Sequence, residues 1–116
     1  MKIMHYTEQE PVLFDSASAK GVAGRVVIGQ KDGAKTFCMR IFELSKDGFT
    51  PCHSHDWEHE IFIHSGDGEV LNNGKWSKLS KGYVLFIPGN EEHQIRNIEK
   101  KPLIFACLIP SNAPEI

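Results

Sequence analysis

Short apolar runs recur along the chain, each broken by residues that favour turns. Arg25–Ile28, Phe37–Leu44, Glu60–His64, Glu69–Leu71, Tyr83–Ile87 and Leu103–Ile109 are rich in Val, Ile, Leu and Phe, side chains that suit a pleated, half-buried surface. Between them stand Asp32-Gly33, Asp47-Gly48, Gly66-Asp67-Gly68, Asn72-Asn73-Gly74 and Pro88-Gly89. Such groups close tight turns, because Gly and Asn accept positive φ and Pro fixes its own φ. The pattern predicts strands joined by antiparallel connections. No window of eleven residues keeps apolar positions at i, i+3, i+4 and i+7, so at most one turn of helix is expected. Two segments fall outside the pattern: the polar, irregular stretch Met1–Ala23 and the tail Ser111–Ile116 after Pro110. Both are candidates to frame a dimer contact.

Many short strands at even spacing predict an all-β fold, either a sandwich or a double-sheet jelly roll that protects its edges by folding two sheets together. At 116 residues there is room for one core, hence a single domain over residues 1–116. A hydrophobic fraction of 41% with 24% charged residues is ordinary for a folded domain and too apolar for a disordered one. The formal charge of −2 supplies no electrostatic footing for nucleic acid or an anionic membrane, which leaves a small-molecule substrate or ligand as the expected partner. The opening MKIMHYTEQEP lacks the apolar stretch of a secretory signal, and no segment approaches the roughly 20 apolar residues of a membrane span, so a soluble cytoplasmic protein is expected. Cys38, Cys52 and Cys107 are odd in number without paired spacing and read as reduced thiols.

Chemistry concentrates in the histidines. Four of the six lie in two motifs, the first running Gly48-Phe-Thr-Pro-Cys-His53-Ser-His55-Asp-Trp-Glu-His59-Glu60. On an extended chain, residues two apart face the same side about 6.6 Å apart, so His53 and His55 can aim both imidazoles at one ion. The second motif, Gly82-Tyr-Val-Leu-Phe-Ile-Pro88-Gly89-Asn90-Glu-Glu-His93-Gln-Ile-Arg-Asn97, supplies His93 from a distant strand. His5 and His64 read as ordinary surface histidines, and Trp57 as a packing or dimer residue.

A Gly-led H-x-H followed by G-x5-P-x4-H-x3-N resembles the two-part signature of the cupin superfamily, here spanning 48–66 and 82–97. The resemblance implies a double-stranded β-helix barrel holding one divalent transition metal per chain. It also implies a homodimer, since small cupins often cover their sheet edges with a partner chain. Family members commonly place a glutamate after three or four residues intervening beyond the second histidine, where this chain has His59 and Glu60. The family's strand-ending glycine falls seven residues after the ligand, and Gly66 is seven after His59. Alternation agrees: with His59 inward, Ile61 and Ile63 share its face and Glu60 points away. The implied ligands are His53, His55, His59 and His93, a set that resembles small single-domain cupins with four-histidine sites.

Four neutral imidazoles leave the full double charge on the ion, which makes it a stronger Lewis acid than a glutamate-ligated one. Mn, Fe, Ni, Cu and Zn all accept imidazole, so the metal stays open; a tetrahedral ion would be closed, whereas an octahedral one would keep two positions for substrate. Asp56, Glu58, Glu60 and Asn97 are candidates to hold the outer nitrogens of the ligands. Arg40 shares parity with Cys38 and Phe42, and Phe105 shares it with Cys107. With Ile61 and Ile63, the residues Arg40, Phe105 and Cys107 would bound a substrate pocket in which Arg40 anchors a carboxylate or enolate. No residue is assigned to catalysis. The first functional expectation is a metalloenzyme that activates oxygen or peroxide, or polarises a small organic substrate, as a dioxygenase-like oxidoreductase does. The second is a non-enzymatic module that captures a sugar or metabolite through its metal. The third, a sugar isomerase or epimerase, rests on fold analogy alone.

Overall fold

The computed structural model describes all 116 residues as nine strands and two single 3-10 turns, Tyr6–Glu8 and Gln30–Asp32. The strands are β1 (Val12–Asp15), β2 (Lys20–Ile28), β3 (Phe37–Phe49), β4 (His59–Ser65), β5 (Asp67–Asn72), β6 (Lys75–Ser80), β7 (Val84–Ile87), β8 (Ile95–Arg96) and β9 (Leu103–Pro110). They hydrogen-bond in the order β6-β5-β8-β3-β9-β4-β7, with β2 on the other side of β3 and β1 beyond it. Every pairing is antiparallel. The fold is all-β, as expected from the sequence. No helix is long and apolar enough to cross a membrane.

Alternation carries the core. In β4, His59, Ile61 and Ile63 are buried while Glu60, Phe62 and His64 are exposed. The uniformly apolar β9 hides its parity in sequence, and the structure resolves it: Leu103, Phe105, Cys107 and Ile109 face in. These residues join Val22, Leu44, Val70, Leu79, Ile87 and Ile95 in one cluster. Register places Ile61 of β4 opposite Cys107 of β9, and Cys107 opposite Arg40 of β3. That alignment brings three distant stretches of chain to one wall of the barrel.

Three strands lie outside the predicted set. β1 and the start of β2 form within the stretch read as irregular, where Val12, Leu13 and Phe14 pair with Gly24, Ala23 and Val22. β6 has only Trp76 and Leu79 as large apolar residues, but the Asn73-Gly74 turn, with both φ angles positive, folds it back onto β5 with Asn72 opposite Lys75. β8 is two residues long. The Asp47-Gly48 break is corrected: β3 continues to Phe49, and its pairing with β2 jumps from Val22↔Leu44 to Lys20↔Phe49, so the extra residues bulge out with Asp47 at φ 63°. Gly66, at φ 87°, is required where β4 turns into β5, because a Cβ there would fall onto the carbonyl of Pro102.

Candidate metal centre

Two backbone segments meet to build the site. His53 and His93 form an isolated antiparallel bridge: the His53 amide donates to the His93 carbonyl at 3.2 Å and the His93 amide to the His53 carbonyl at 3.0 Å. The two sequence motifs are thus stitched together at their histidines. His53, His55 and His93 form a cluster whose ligand atoms all lie within 4.8 Å of one another. Their rings meet edge to face, with centroids 4.8 to 5.0 Å apart. His59, the first residue of β4, stands beside them, its ring centroid 4.7 Å from that of His55 and 5.0 Å from that of His93. Its Nε2 lies 2.9 Å from His55 Nε2.

The outer nitrogens of His55, His59 and His93 meet groups that sequence reasoning did not name. His55 Nδ1 donates to the carbonyl of Trp57 at 2.8 Å, and His93 Nδ1 to that of Glu91 at 2.9 Å. Each bond fixes the tautomer and leaves Nε2 free to ligate. His59 Nδ1 instead faces Cys107 Sγ at 3.2 Å and Arg40 Nη2 at 3.5 Å. Trp57 also stacks on His55, with centroids 4.0 Å apart and planes 6° from parallel. Its position two residues after His55 was the available signal, since alternate residues share a face.

Electrostatics favour the neutral form of His53, His59 and His93. Burial, then the charge of Arg40, then the neighbouring histidines push His59 down to about 3. Burial is also the main cause lowering His53 and His93; for His93 the Glu91 carbonyl opposes it. Neutral imidazole is the ligating form. Convergent nitrogens in that state, already oriented from behind, fit a divalent transition metal.

Above the histidines lies a cavity of about 210 Å³ whose lining includes Arg40, Phe42, Trp57, Ile61, Phe105 and Cys107. Arg40 is 8% exposed. Its Nη2 donates to Cys107 Sγ at 3.0 Å, its Nη1 to the Glu115 carbonyl at 3.4 Å, and its Nε has no partner. Four of the five predicted pocket residues therefore reach the cavity. Ile63 does not: it is fully buried one strand repeat deeper, outside the lining. The outer-partner predictions need the larger correction. Glu60 is exposed, because β4 alternation turns it outward, and no hydrogen bond joins Asp56, Glu58 or Glu60 to an imidazole. Asn97 is fully buried but spans the backbone, donating to the carbonyls of Leu44 at 3.0 Å and Lys101 at 2.8 Å and accepting from the Glu99 amide at 2.9 Å. Ile116, from the tail, also lines the cavity. His5 and His64 are exposed and away from the site.

No functionally curated protein matches the chain by sequence. Among solved structures, it is similar to the polyketide cyclase RemF from Streptomyces resistomycificus, at 31% identity and TM-score 0.91, over 98% of this chain and 82% of that one. It shares its fold with Rru_A2000 from Rhodospirillum rubrum, a cupin-2 domain, at 20% identity and TM-score 0.84, over 97% and 76% of the two chains. A predicted oxalate decarboxylase from Thermotoga maritima aligns at 24% identity and TM-score 0.83, over 95% and 99%. The family model described as "Cupin domain" matches residues 40–109. With that match and the RemF identity beside the barrel and its three-histidine cluster, the chain belongs to the cupin family.

Proposed function

We propose that the protein is a metal-dependent Lewis-acid enzyme acting on a small, apolar, oxygen-bearing substrate that can carry negative charge, of the carbonyl or enolate class. One observation carries this reading: the three-histidine cluster, with His59 beside it, opens onto a cavity whose lining contains one cationic side chain, Arg40, and no carboxylate side chain. His53, His55, His59 and His93 are the proposed ligands. A divalent ion held there would supply a Lewis acid for a carbonyl or enolate oxygen. The chain's own residues do the rest. Phe42, Ile61, Phe105 and Trp57 exclude water and hold a planar carbon skeleton, while Arg40, with an unpartnered Nε, offers hydrogen bonds to a second oxygen. The similarity to RemF supports the polarising branch of the sequence reading, because cyclisation of a polyketide proceeds through enolisable carbonyls.

The test is to load the metal-free protein with Zn²⁺ or Ni²⁺ and titrate it with a small β-diketone, following the enolate absorbance. A linear polyketone is then assayed for cyclisation. Binding and turnover that vanish with a chelator and in His93→Ala support the reading, whereas equal binding by the metal-free protein overturns it. One observation favours a second reading, capture without conversion: no Asp, Glu, Lys or Tyr side chain lines the cavity to carry a proton. Metal-dependent retention of the diketone with no cyclised product would select it.

A further inference from the structure

The outer side of His59 sets it apart from the other buried ligand candidate. Behind His55 and His93 stand backbone carbonyls, which only accept. Behind His59 stand a thiol and a guanidinium, with Cys107 Sγ at 3.2 Å and Arg40 Nη2 at 3.5 Å from Nδ1. A guanidinium has donors alone and can never receive the Nδ1 proton; a thiol can both donate and accept.

Two proton arrangements follow. Without an ion, His55 already carries its proton on Nδ1, donated to Trp57, so its Nε2 is bare. The 2.9 Å contact between the two Nε2 atoms then requires His59 Nε2–H to donate. His59 Nδ1 is bare in that state and accepts from the Cys107 thiol. When Nε2 must offer its lone pair to an ion, the proton sits on Nδ1 instead, and Cys107 Sγ is the group within reach that can receive it. Arg40 Nη2, 3.0 Å from Sγ, donates to the sulfur in both arrangements and keeps it in place. The number of protons on the pair is unchanged; only the nitrogen that carries one differs.

We infer that Cys107 is a positioning residue that sets the tautomer of His59, donating to Nδ1 in one state and accepting from it in the other. The inference rests on the four-histidine reading above. Three proteins test it: wild type, Cys107→Ser, which keeps a group that donates and accepts, and Cys107→Val, which fills the space with neither. Zinc affinity is measured by competition with a chromophoric chelator, and the His59 tautomer by ¹⁵N NMR of the imidazoles, with thermal melting to confirm folding. The wild type should show His59 protonated at Nε2 without zinc and at Nδ1 with it. Cys107→Ser should keep that switch and most of the affinity. Cys107→Val should lose about 10- to 100-fold in affinity, as substitutions behind a metal ligand do. If His59 switches to Nδ1–H with zinc in the wild type, equal affinity in wild type and folded Cys107→Val, or equal losses in Ser and Val, overturns the inference alone. A wild type that binds no zinc, or binds it with His59 still protonated at Nε2, overturns the four-histidine reading and this inference with it.

Discussion

Replacing His59 with glutamine in the metal-free protein should flatten the acid side of its stability profile. In the unfolded chain an imidazole takes a proton near pH 6.5; in the fold, burial and Arg40 hold His59 down to about 3. The unfolded state therefore binds more protons than the native state below pH 6.5, and stability is lost as pH falls. His59 is 7% exposed, so solvent screening is slight. Integrating the linkage relation for this one group between pH 7.5 and 5.5 gives a loss of about 1.4 kcal/mol. With an unfolding entropy of roughly 2.1 cal/mol/K per residue, that is about 6 °C in Tm for a domain of this size. The assay is calorimetry of wild type and His59→Gln at both pH values with a chelator present. Every other titratable group is common to both proteins, so the difference between the two Tm losses isolates His59. The variant should lose about 6 °C less than the wild type. Equal losses would show that His59 is not held neutral by the fold, and the electrostatic account of the cluster would fail.

Other substitutions separate fold from site. Gly66→Ala combines a φ of 87° with a clash against the Pro102 carbonyl and should cost about 1–3 kcal/mol in denaturant melts; an unchanged midpoint would mean the β4–β5 turn relaxes freely. Ile63→Ala empties a fully buried position outside the cavity lining, so a loss of about 2–5 kcal/mol with unchanged zinc affinity is expected, and a parallel loss of zinc would contradict that separation. Trp57 lies flat on His55, whereas Trp76 sits under the Arg96 guanidinium, 3.6 Å away. Added Ni²⁺ should therefore quench indole fluorescence in wild type and leave Trp57→Phe, with Trp76 as its sole indole, unquenched; quenching of the variant would place the ion elsewhere.

What the sequence discloses about this protein tracks where side chains, rather than backbone, carry the information. β9 buries a full apolar face, and β3, β4 and β7 carry apolar runs that announce them. β6 buries Leu79 alone, and β1 is an edge strand with Val12 and Leu13 exposed, so their pairing depends on neighbours that a local pattern does not contain. The same division runs through the site. His53, His55 and His93 are legible because a two-residue spacing pairs the first two and the second motif supplies the third; His59, placed by the family resemblance, stands beside that cluster at the start of β4. The groups behind them are not, because two are carbonyls that any residue would provide, and the third, Cys107, arrives from 48 residues beyond His59 by register alone. A shift of β9 by one residue would turn Phe105 and Cys107 outward and bring Ala106 and Leu108 in, leaving His59 Nδ1 facing only Arg40. The acidic residues around the first motif invited the opposite expectation, that carboxylates would orient the ligands. Strand parity turns Glu60 into solvent, so the cavity keeps its positive character and its fit for an anionic ligand. The proposed selection for an anionic ligand thus depends on the side of β4 on which a single glutamate falls and on the pairing of β9, more than on the number of histidines.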